Sequence, residues 1–177
     1  FQREDAGRAD TLRAFREAMK EEARPAFDKG AALLGKGDYV TAERGFKEAI
    51  DIDSGSTGAL AYLAVTYAAS GHDTEAVNAW QTALVDGSGF AEIYEWLGDS
   101  LLRTHELAQA RTVLEEAKAA WPADGRFTLP LALVYATFGQ GREAVRTLER
   151  YLALHTDDHP AQAMGVEWVY HLRAAGA

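Results

Sequence analysis

The sequence predicts an all-α fold, in which helical hairpins stack into a right-handed superhelix. The clearest hairpin lies in residues 91–124, where apolar side chains recur at helical spacing in two stripes. Tyr94 and Leu97 belong to the first stripe and Leu114 to the second, before Pro122 ends the second helix. Neither helix can bury its stripe alone, so each hairpin is predicted to stack on its neighbours.

A period of 34 residues carries this pattern through four units without an insertion. Two columns hold small residues, which let paired helices approach closely, and two hold large residues, which fill the space between helices. The small columns are Ala42, Ala76, Ala110, Ala144 and Gly30, Ala64, Gly98, Ala132. The large columns are Leu33, Tyr67, Leu101, Tyr135 and Phe46, Trp80, Leu114, Leu148. The turn glycines Gly37, Gly71 and Gly139 align with an offset of a residue or two, and His105 replaces glycine in the third unit.

This gap-free period, with its columns of small and large residues, resembles the tetratricopeptide repeat (TPR) family over Ala23 to Thr156. The resemblance implies an alpha-alpha superhelix, or solenoid, of four TPR hairpins with flanking N- and C-terminal helices. It also implies the boundaries of the units. They are an N-terminal amphipathic helix in 1–22, TPR 1 in 23–56, TPR 2 in 57–90, TPR 3 in 91–124, TPR 4 in 125–158, and a C-terminal capping helix or the start of a fifth repeat in 159–177.

The two flanking helices are predicted from apolar residues at helical spacing. The first includes Phe15 and Met19, and it either caps the first repeat or links the repeats to an upstream domain. Capping is favoured because the ends of solenoids need cover. The last helix includes Trp168 and Leu172. The chain begins at Phe1 in place of a methionine, which we interpret as a fragment or a processed form.

Short polar residues mark the predicted helix starts. Asp38 is expected to cap the second helix of the first hairpin, and Ser56 or Thr57 the helix that follows. The loop around them, DIDSGSTG, lacks the Gly-Lys-Ser/Thr end of a phosphate-binding loop and has Tyr62 where a calcium loop has glutamate. Pro130 is expected early in its helix, where its missing N–H is not needed.

Composition excludes several classes of function. The 177 residues include no cysteine, so disulfides and thiolate chemistry are excluded. The formal net charge of −9 argues against attraction to nucleic acids or anionic membranes, and no apolar run is long enough to span a bilayer. The sequence does not distinguish a cytoplasmic protein from a periplasmic or secreted one. Its alanine, glycine and arginine content indicates a bacterial source.

An enzyme is not predicted, because the candidate catalytic motifs are incomplete. His105 and Glu106 begin a zinc-protease motif, but Gln109 occupies the place of its second histidine. His155 and His159 flank two aspartates and are candidate metal ligands, but a solvated turn between helices is the favoured interpretation. We therefore expect no catalytic residue, no metal and no cofactor.

The family resemblance implies a concave groove, lined by the first helix of each hairpin, that binds another polypeptide. The positions expected to line it are Phe27, Leu34, Tyr62, Val65, Glu92, Glu95, Trp96, Asp99, Arg103, Arg126, Leu129 and Leu133. Such a groove is apolar and aromatic, with an acidic patch formed by Glu92, Glu95 and Asp99. The expected partner is a protein or peptide that carries apolar anchors and basic residues.

Other interpretations of these residues stay open. Trp96 is equally consistent with packing between repeats, and the acidic residues are consistent with a solvated helix face. The carboxylate clamp of chaperone-binding family members is not expected, because Phe27 and Glu92 stand where that clamp has lysine. The alternative function is self-assembly as a homodimer, or intramolecular docking within a larger multidomain protein.

Overall fold

The computed structural model describes residues 2–87, 89–154 and 159–174 of the chain. These residues form helices and turns, and no strand occurs among them. The α-helices are α1 (Gln2–Ala18), α2 (Arg24–Leu34), α3 (Tyr39–Ile52), α4 (Thr57–Ala69), α5 (Asp73–Gly87), α6 (Ala91–Arg103), α7 (Leu107–Ala120), α8 (Thr128–Thr137), α9 (Gly141–Leu154) and α10 (His159–Ala174). Short 3₁₀ turns at Glu21–Ala23 and Gly125–Phe127 precede α2 and α8. The prediction of an all-α fold is confirmed.

The chain divides into two compact units, Phe1–Ser100 and Leu101–Ala177. In the first unit, α2 pairs with α3 and α4 pairs with α5. In the second unit, α8 packs on α7 and pairs with α9, and α10 packs on α9. The paired helices are hairpins of the predicted kind. The exact limits of each repeat and the status of the flanking helices remain predictions.

Each hairpin turn contains one residue in the left-handed region of backbone conformation. The four φ angles are 77° at Gly37, 81° at Gly71, 60° at His105 and 70° at Gly139. At the first turn, the N–H of Gly37 donates to the Leu34 carbonyl (3.0 Å) and that of Asp38 to the Leu33 carbonyl (3.1 Å), which is the Schellman motif. The same two bonds close the other three turns. The expected offset was wrong, because the turn residues also lie 34 apart and His105 fills a glycine position.

The predicted helix caps are present. The carboxylate of Asp38 accepts a hydrogen bond from the N–H of Thr41 (3.2 Å), and the hydroxyl of Ser56 accepts one from the N–H of Ala59 (3.3 Å). Ser56 is therefore the cap of α4, and Thr57 is its first helical residue. Pro130 is the third residue of α8, in the turn whose N–H groups have no partner within the helix.

Two glycines allow α2 and α3 to approach closely. A Cβ atom on Gly30 would lie 2.9 Å from Cε1 of Phe46, so the small residue predicted there is needed for contact between the helices. A Cβ on Gly45 would lie 3.0 Å from the Cα of Gly30 and 3.1 Å from the carbonyl oxygen of Ala26. Gly45 is thus a second point of close approach, which the sequence columns did not include.

The N-terminal helix α1 packs on the first unit. Its Phe15 is 1% exposed and lies against the start of α4, where a Cβ on Gly58 would be 2.5 Å from the Cβ of Phe15. Met19 joins the core of the first hairpin. Directly after α1, the backbone N–H of Lys20 donates to the carboxylate of Asp53 (2.9 Å), which fixes the connection to α2.

The core of the second unit forms between α8 and α9. Ala132, Ala144 and Leu148 are fully buried there, and Trp168 and Leu172 of α10 pack against them. The predicted stripe of the last helix therefore contacts the neighbouring hairpin. No helix in the described part of the chain has both the length and the hydrophobicity needed to cross a membrane.

Candidate functional site

The groove positions of the first hairpin belong mainly to the core. Phe27 is fully buried, with its ring centroid 5.6 Å from that of Phe46 and 5.4 Å from that of Tyr62. Leu34 is half-buried and packs on the same core. Phe27 was expected to line the groove, but its side chain is not accessible to a partner because the rings of Phe46 and Tyr62 pack against it in the core.

Tyr62 on α4 is the centre of an aromatic cluster in the first unit. Its ring centroid lies 6.2 Å from that of Phe15, 5.9 Å from that of Phe46 and 6.5 Å from that of Trp96. Tyr62 is half-buried, as is Val65 three residues further along α4. Because Phe15 belongs to α1, the N-terminal helix covers part of the surface that the first helices of the first unit were expected to present.

Helix α6 separates its buried stripe from its predicted binding stripe. Ile93 and Leu97 are fully buried. The predicted positions on the other stripe are half-buried at Glu92, Glu95 and Trp96 and exposed at Asp99 and Arg103. Residues spaced by three or four positions share one helix face, so the three carboxylates lie on the same side of α6. This stripe is acidic and lies outside the core.

Trp96 combines the two interpretations that the sequence left open. Its ring centroid is 5.1 Å from that of Trp80, which is 1% exposed, and 6.5 Å from that of Tyr62. The indole therefore packs against the α4–α5 hairpin. It is also half-buried, not fully buried, so part of its surface is accessible on the acidic stripe of α6.

The predicted positions of the second unit differ in exposure. Arg126 is exposed, and its Nη2 atom lies 2.7 Å from Oδ2 of Asp124. Burial raises the pKa of Asp124, but the hydrogen bonds from Arg126 outweigh it and hold that pKa below its ordinary value. Leu129 is half-buried and packs on the core of the α8–α9 hairpin, whereas Leu133 is 41% exposed. Of the predicted groove positions in this unit, Leu133 is therefore the apolar side chain that a partner can reach.

The candidate metal ligands lie around the last loop. His155 and the side chain of His159 lie outside the residues that the structure describes. Within the described residues, no group of three or more His, Asp or Glu side chains is placed to hold a metal ion.

The sequence did not predict where α1 would dock. The helical spacing of Phe15 and Met19 indicated an amphipathic helix, but α1 does not follow the 34-residue columns. Its contact with Gly58 joins residues that are far apart in the sequence. The signal in the sequence was Gly58, which lies in the first turn of helix α4 although no left-handed backbone conformation requires a glycine there.

Comparison with known proteins gives one curated relative and several solved structures. No protein-family profile matches the chain. The chain is 30% identical over 142 residues to cellulose synthase operon protein C of Xanthomonas axonopodis pv. citri (strain 306). The match covers 73% of this chain and 9% of that protein, so the chain spans a small part of the length of its relative.

The solved structures share the fold. A crystal structure of MamA superimposes with a TM-score of 0.74 at 23% identity and covers 88% of each chain. A tetratricopeptide repeat protein from Parabacteroides merdae ATCC 43184 gives a TM-score of 0.79 at 17% identity, over 86% of this chain and 60% of the other. YrrB, described as a TPR protein with an unusual peptide-binding site, gives 0.70 at 19% identity, over 88% and 83%.

These comparisons agree with the helices and turns described above. Xanthomonas axonopodis and Parabacteroides merdae are bacteria, in agreement with the bacterial source that the composition indicates. The prediction of an all-α solenoid of TPR hairpins is confirmed by the match to solved TPR structures. The chain therefore has the fold of tetratricopeptide repeat proteins.

Proposed function

We propose that the chain is a non-catalytic scaffold that binds a segment of another protein along the first helices of its hairpins. The TPR fold supports this, because each repeat contributes one helix to an extended binding surface. The observation that carries the proposal is the division of α6, in which Ile93 and Leu97 are fully buried while Trp96 is half-buried and Asp99 is exposed. The peptide-binding site named for YrrB supports a peptide as the ligand.

The chemistry of the α6 stripe defines the partner. Glu92, Glu95 and Asp99 bring three carboxylates to one helix face, beside the accessible part of the Trp96 indole. A lysine or arginine of the partner would face the carboxylates, and an apolar side chain would contact the indole. In such interfaces an aromatic anchor supplies most of the affinity, whereas complementary charges set orientation and association rate.

The docking of α1 limits where a segment binds in the first unit. Phe15 covers the start of α4 at Gly58 and contacts Tyr62. The proposed contact surface therefore comprises Val65 of α4 and the acidic stripe of α6. In the second unit, Leu133 is the proposed apolar contact, because it is exposed on α8.

The test is a selection of peptides from a displayed random library on the intact chain. Peptides selected on the unmodified chain should combine lysine or arginine with apolar residues. The double variant Glu95→Lys, Asp99→Lys should bind these peptides about tenfold more weakly or worse, since it reverses the charge of the stripe. The control is Glu48→Lys, Asp51→Lys, which changes two exposed carboxylates of α3 by the same charge.

The control decides between a local and a general effect. Binding to the α3 variant should stay within about twofold of the unmodified chain, because screening at physiological ionic strength is nearly complete beyond about 8 Å. Equal weakening by both double variants would remove the α6 stripe from the proposal, and so would a selection that yields peptides without basic residues.

Self-assembly is the second candidate, and the last helix favours it. Val166 and Tyr170 lie four residues apart on α10 and are 58% and 71% exposed. Two large apolar side chains on one face form a contact that a second copy of the chain can cover. Size-exclusion chromatography with light scattering tests this: a dimer that dissociates on Val166→Glu, Tyr170→Glu supports it, and a monomer at all concentrations contradicts it.

The relative also suggests docking within a larger protein. Cellulose synthase operon protein C contains the matched region as 9% of its length. Under this alternative, the chain packs against other domains of a longer polypeptide. A monomer that binds no peptide from the library, in the presence of an intact fold, would favour this alternative over segment binding.

A further inference from the structure

Helices α7, α8 and α9 of the second unit enclose a cleft of about 260 Å³. Its cationic side chains lie on the second helices α7 and α9, whereas the proposed binding surface above uses first helices. The lining side chains that matter for its chemistry are Glu115, Lys118, Leu131, Tyr135, Arg146 and Arg150. Three of these six are cations and one is a carboxylate, in a chain with a net charge of −9. The cleft thus has the opposite charge to the chain as a whole.

The two arginines of the cleft are not used by the fold. Arg146 and Arg150 lie four residues apart on α9, so both project from one face of the helix. Both are exposed at the mouth of the cleft. Neither forms a hydrogen bond or an ion pair within the described part of the chain. Two arginines elsewhere in the chain form ion pairs, Arg126 with Asp124 and Arg16 with Asp28.

The third cation, Lys118, is held inside the cleft. Its Nζ atom donates to the carbonyl oxygen of Asp124 (3.1 Å) and to the hydroxyl of Thr128 (3.3 Å). A lysine ammonium has three N–H donors, so one donor remains for a ligand. Burial lowers the pKa of Lys118, Asp124 opposes this, and the charge of Arg150 adds to the lowering. An anion in the cleft would therefore stabilise the ammonium.

The other side of the cleft is apolar and aromatic. Leu131 is 3% exposed and forms part of its wall together with the ring of Tyr135. The hydroxyl of Tyr135 donates to Oε1 of Glu115 (2.9 Å), which holds the ring in place. A ligand that fits this cleft has a negative group for the cations and an apolar group for the leucine and the tyrosine ring.

The repeat itself shows that the cations are not required for packing. Two repeats earlier, Leu63 and Tyr67 stand at the positions of Leu131 and Tyr135. The positions of Lys118, Arg146 and Arg150 are occupied there by Ile50, Asn78 and Thr82, which are uncharged. The same helical frame therefore forms without these charges.

We propose that the cleft between α7, α8 and α9 binds an acidic segment of another protein. Lys118, Arg146 and Arg150 receive a glutamate or aspartate side chain of that segment by charge-assisted hydrogen bonds. An apolar side chain next to it contacts Leu131 and Tyr135. A peptide satisfies both halves of the cleft, whereas a free inorganic anion satisfies only the cationic half.

The test measures the binding of a fluorescein-labelled peptide, Glu-Glu-Leu-Glu-Glu-Leu, by fluorescence anisotropy at about 0.15 M ionic strength. The matched probe has glutamine in place of every glutamate. The variant Arg146→Gln, Arg150→Gln should bind the acidic peptide at least about tenfold more weakly than the unmodified chain, since two charge-assisted contacts are lost. Lys118→Met keeps the length of the side chain and should weaken binding to a similar degree.

The control exploits the equivalent positions of the first unit. Asn78→Glu, Thr82→Glu gives the same net charge as the arginine variant, and both of its side chains are exposed on α5. It should bind the acidic peptide within about twofold of the unmodified chain. Circular dichroism establishes that all variants keep their helical content.

Three results would overturn the proposal. One is equal weakening by the arginine variant and its control, which would show that only net charge matters. Another is equal affinity for the glutamine peptide. The third is complete displacement of the acidic peptide by inorganic phosphate at concentrations near the dissociation constant of the peptide, which would assign the cleft to a free anion. The acidic peptide tests the cleft, and the basic peptides test the α6 stripe. Failure of one proposal can therefore be distinguished from failure of the other.

Discussion

Tyr67 of the first unit and Tyr135 of the second lie two repeats apart, and each donates a hydrogen bond from its hydroxyl to a carboxylate. The hydroxyl of Tyr67 donates to Oε1 of Glu43 (3.3 Å), and Nζ of Lys47 lies 2.7 Å from the same oxygen. Tyr135 donates to Glu115 (2.9 Å). Glu115 stands at the repeat position of Lys47, so the carboxylate has moved by one helical turn between the two units.

The difference between the two regions lies in how their charges are paired. In the first unit, the hydrogen bond from Lys47 is the largest cause of a lowered pKa at Glu43, so lysine and glutamate satisfy each other. In the second unit, Arg146 and Arg150 are added without such partners within the described residues. Positions that pack recur because their volume is constrained, whereas exposed charges change at little cost to stability. The features that can distinguish one repeat's ligand from another's are therefore at the exposed positions.

The largest effect is expected where packing itself differs between hairpins. Position 45 holds glycine, and the equivalent position three repeats later holds Thr147. Gly45→Thr should lower the free energy of unfolding by about 3 kcal/mol, because even a Cβ there would lie 3.0 Å from the backbone of Gly30. The reciprocal change, Thr147→Gly, should cost less than about 1 kcal/mol, because threonine is itself a poor helix former and only slightly better than glycine. Urea unfolding of both variants measures the contrast. Similar losses at the two positions would show that the α2–α3 approach is not specific to the first hairpin.

Smaller effects on the free energy of unfolding, opposite in sign to each other, are expected at two of the turns. Gly71→Ala should destabilise the chain by about 1 kcal/mol, because a side chain at φ 81° is strained although a Cβ there would meet no atom within 4 Å. His105→Gly should stabilise it by about 0.5 kcal/mol, since relief of the strain at φ 60° exceeds the extra entropy of an unfolded glycine. Thermal or urea unfolding measures both changes. Two changes of the same sign would contradict the assignment of His105 to the glycine column.

The sequence predicted the fold because the repeat constrains volume at regular positions. The columns led by Gly30 and Phe46 describe direct contacts between helices, and these contacts exist in the structure. The cap at Ser56 was also predictable, because a side-chain oxygen and a following helix are local features. Local and periodic signals therefore carried the fold.

The site was predicted less completely, because it depends on contacts outside the period. Phe27 was expected on the binding surface, and it is fully buried against Phe46 and Tyr62. Phe15 of α1, a helix outside the repeats, covers the start of α4. The cationic cleft requires Lys118 on α7 and Arg146 on α9, which come together only through packing on α8. Each of these residues alone resembles an ordinary charge on a solvated helix face.

The smallest effect is expected at Tyr135, the tyrosine of the second unit. Burial, and next its hydrogen bond to Glu115, raise the pKa of Tyr135 from 10 to about 12. A raised pKa in the folded state stabilises the fold fully below the unfolded pKa of about 10, and this contribution is lost as the pH rises through about 12. Tyr135→Phe should therefore lower the free energy of unfolding by about 0.5 kcal/mol at neutral pH. This difference from the unmodified chain should shrink above pH 10 and reverse sign before pH 12, because the unfolded tyrosine ionises while the folded one is still neutral and a shift of this size outweighs about 0.5 kcal/mol.

Two measurements check the assignment of this shift to its causes. Subtracting the phenolate absorbance titration of Tyr135→Phe from that of the unmodified chain isolates one tyrosine, whose midpoint should lie near 12. Glu115→Gln should move that midpoint toward 10 without reaching it, because the hydrogen bond from Tyr135 to a charged acceptor is the second cause of the shift and burial, the first, is retained. A midpoint near 10 in the unmodified chain would mean that the Tyr135 ring is not held in the wall of the cleft, and it would remove the apolar half of the proposed acidic-peptide site.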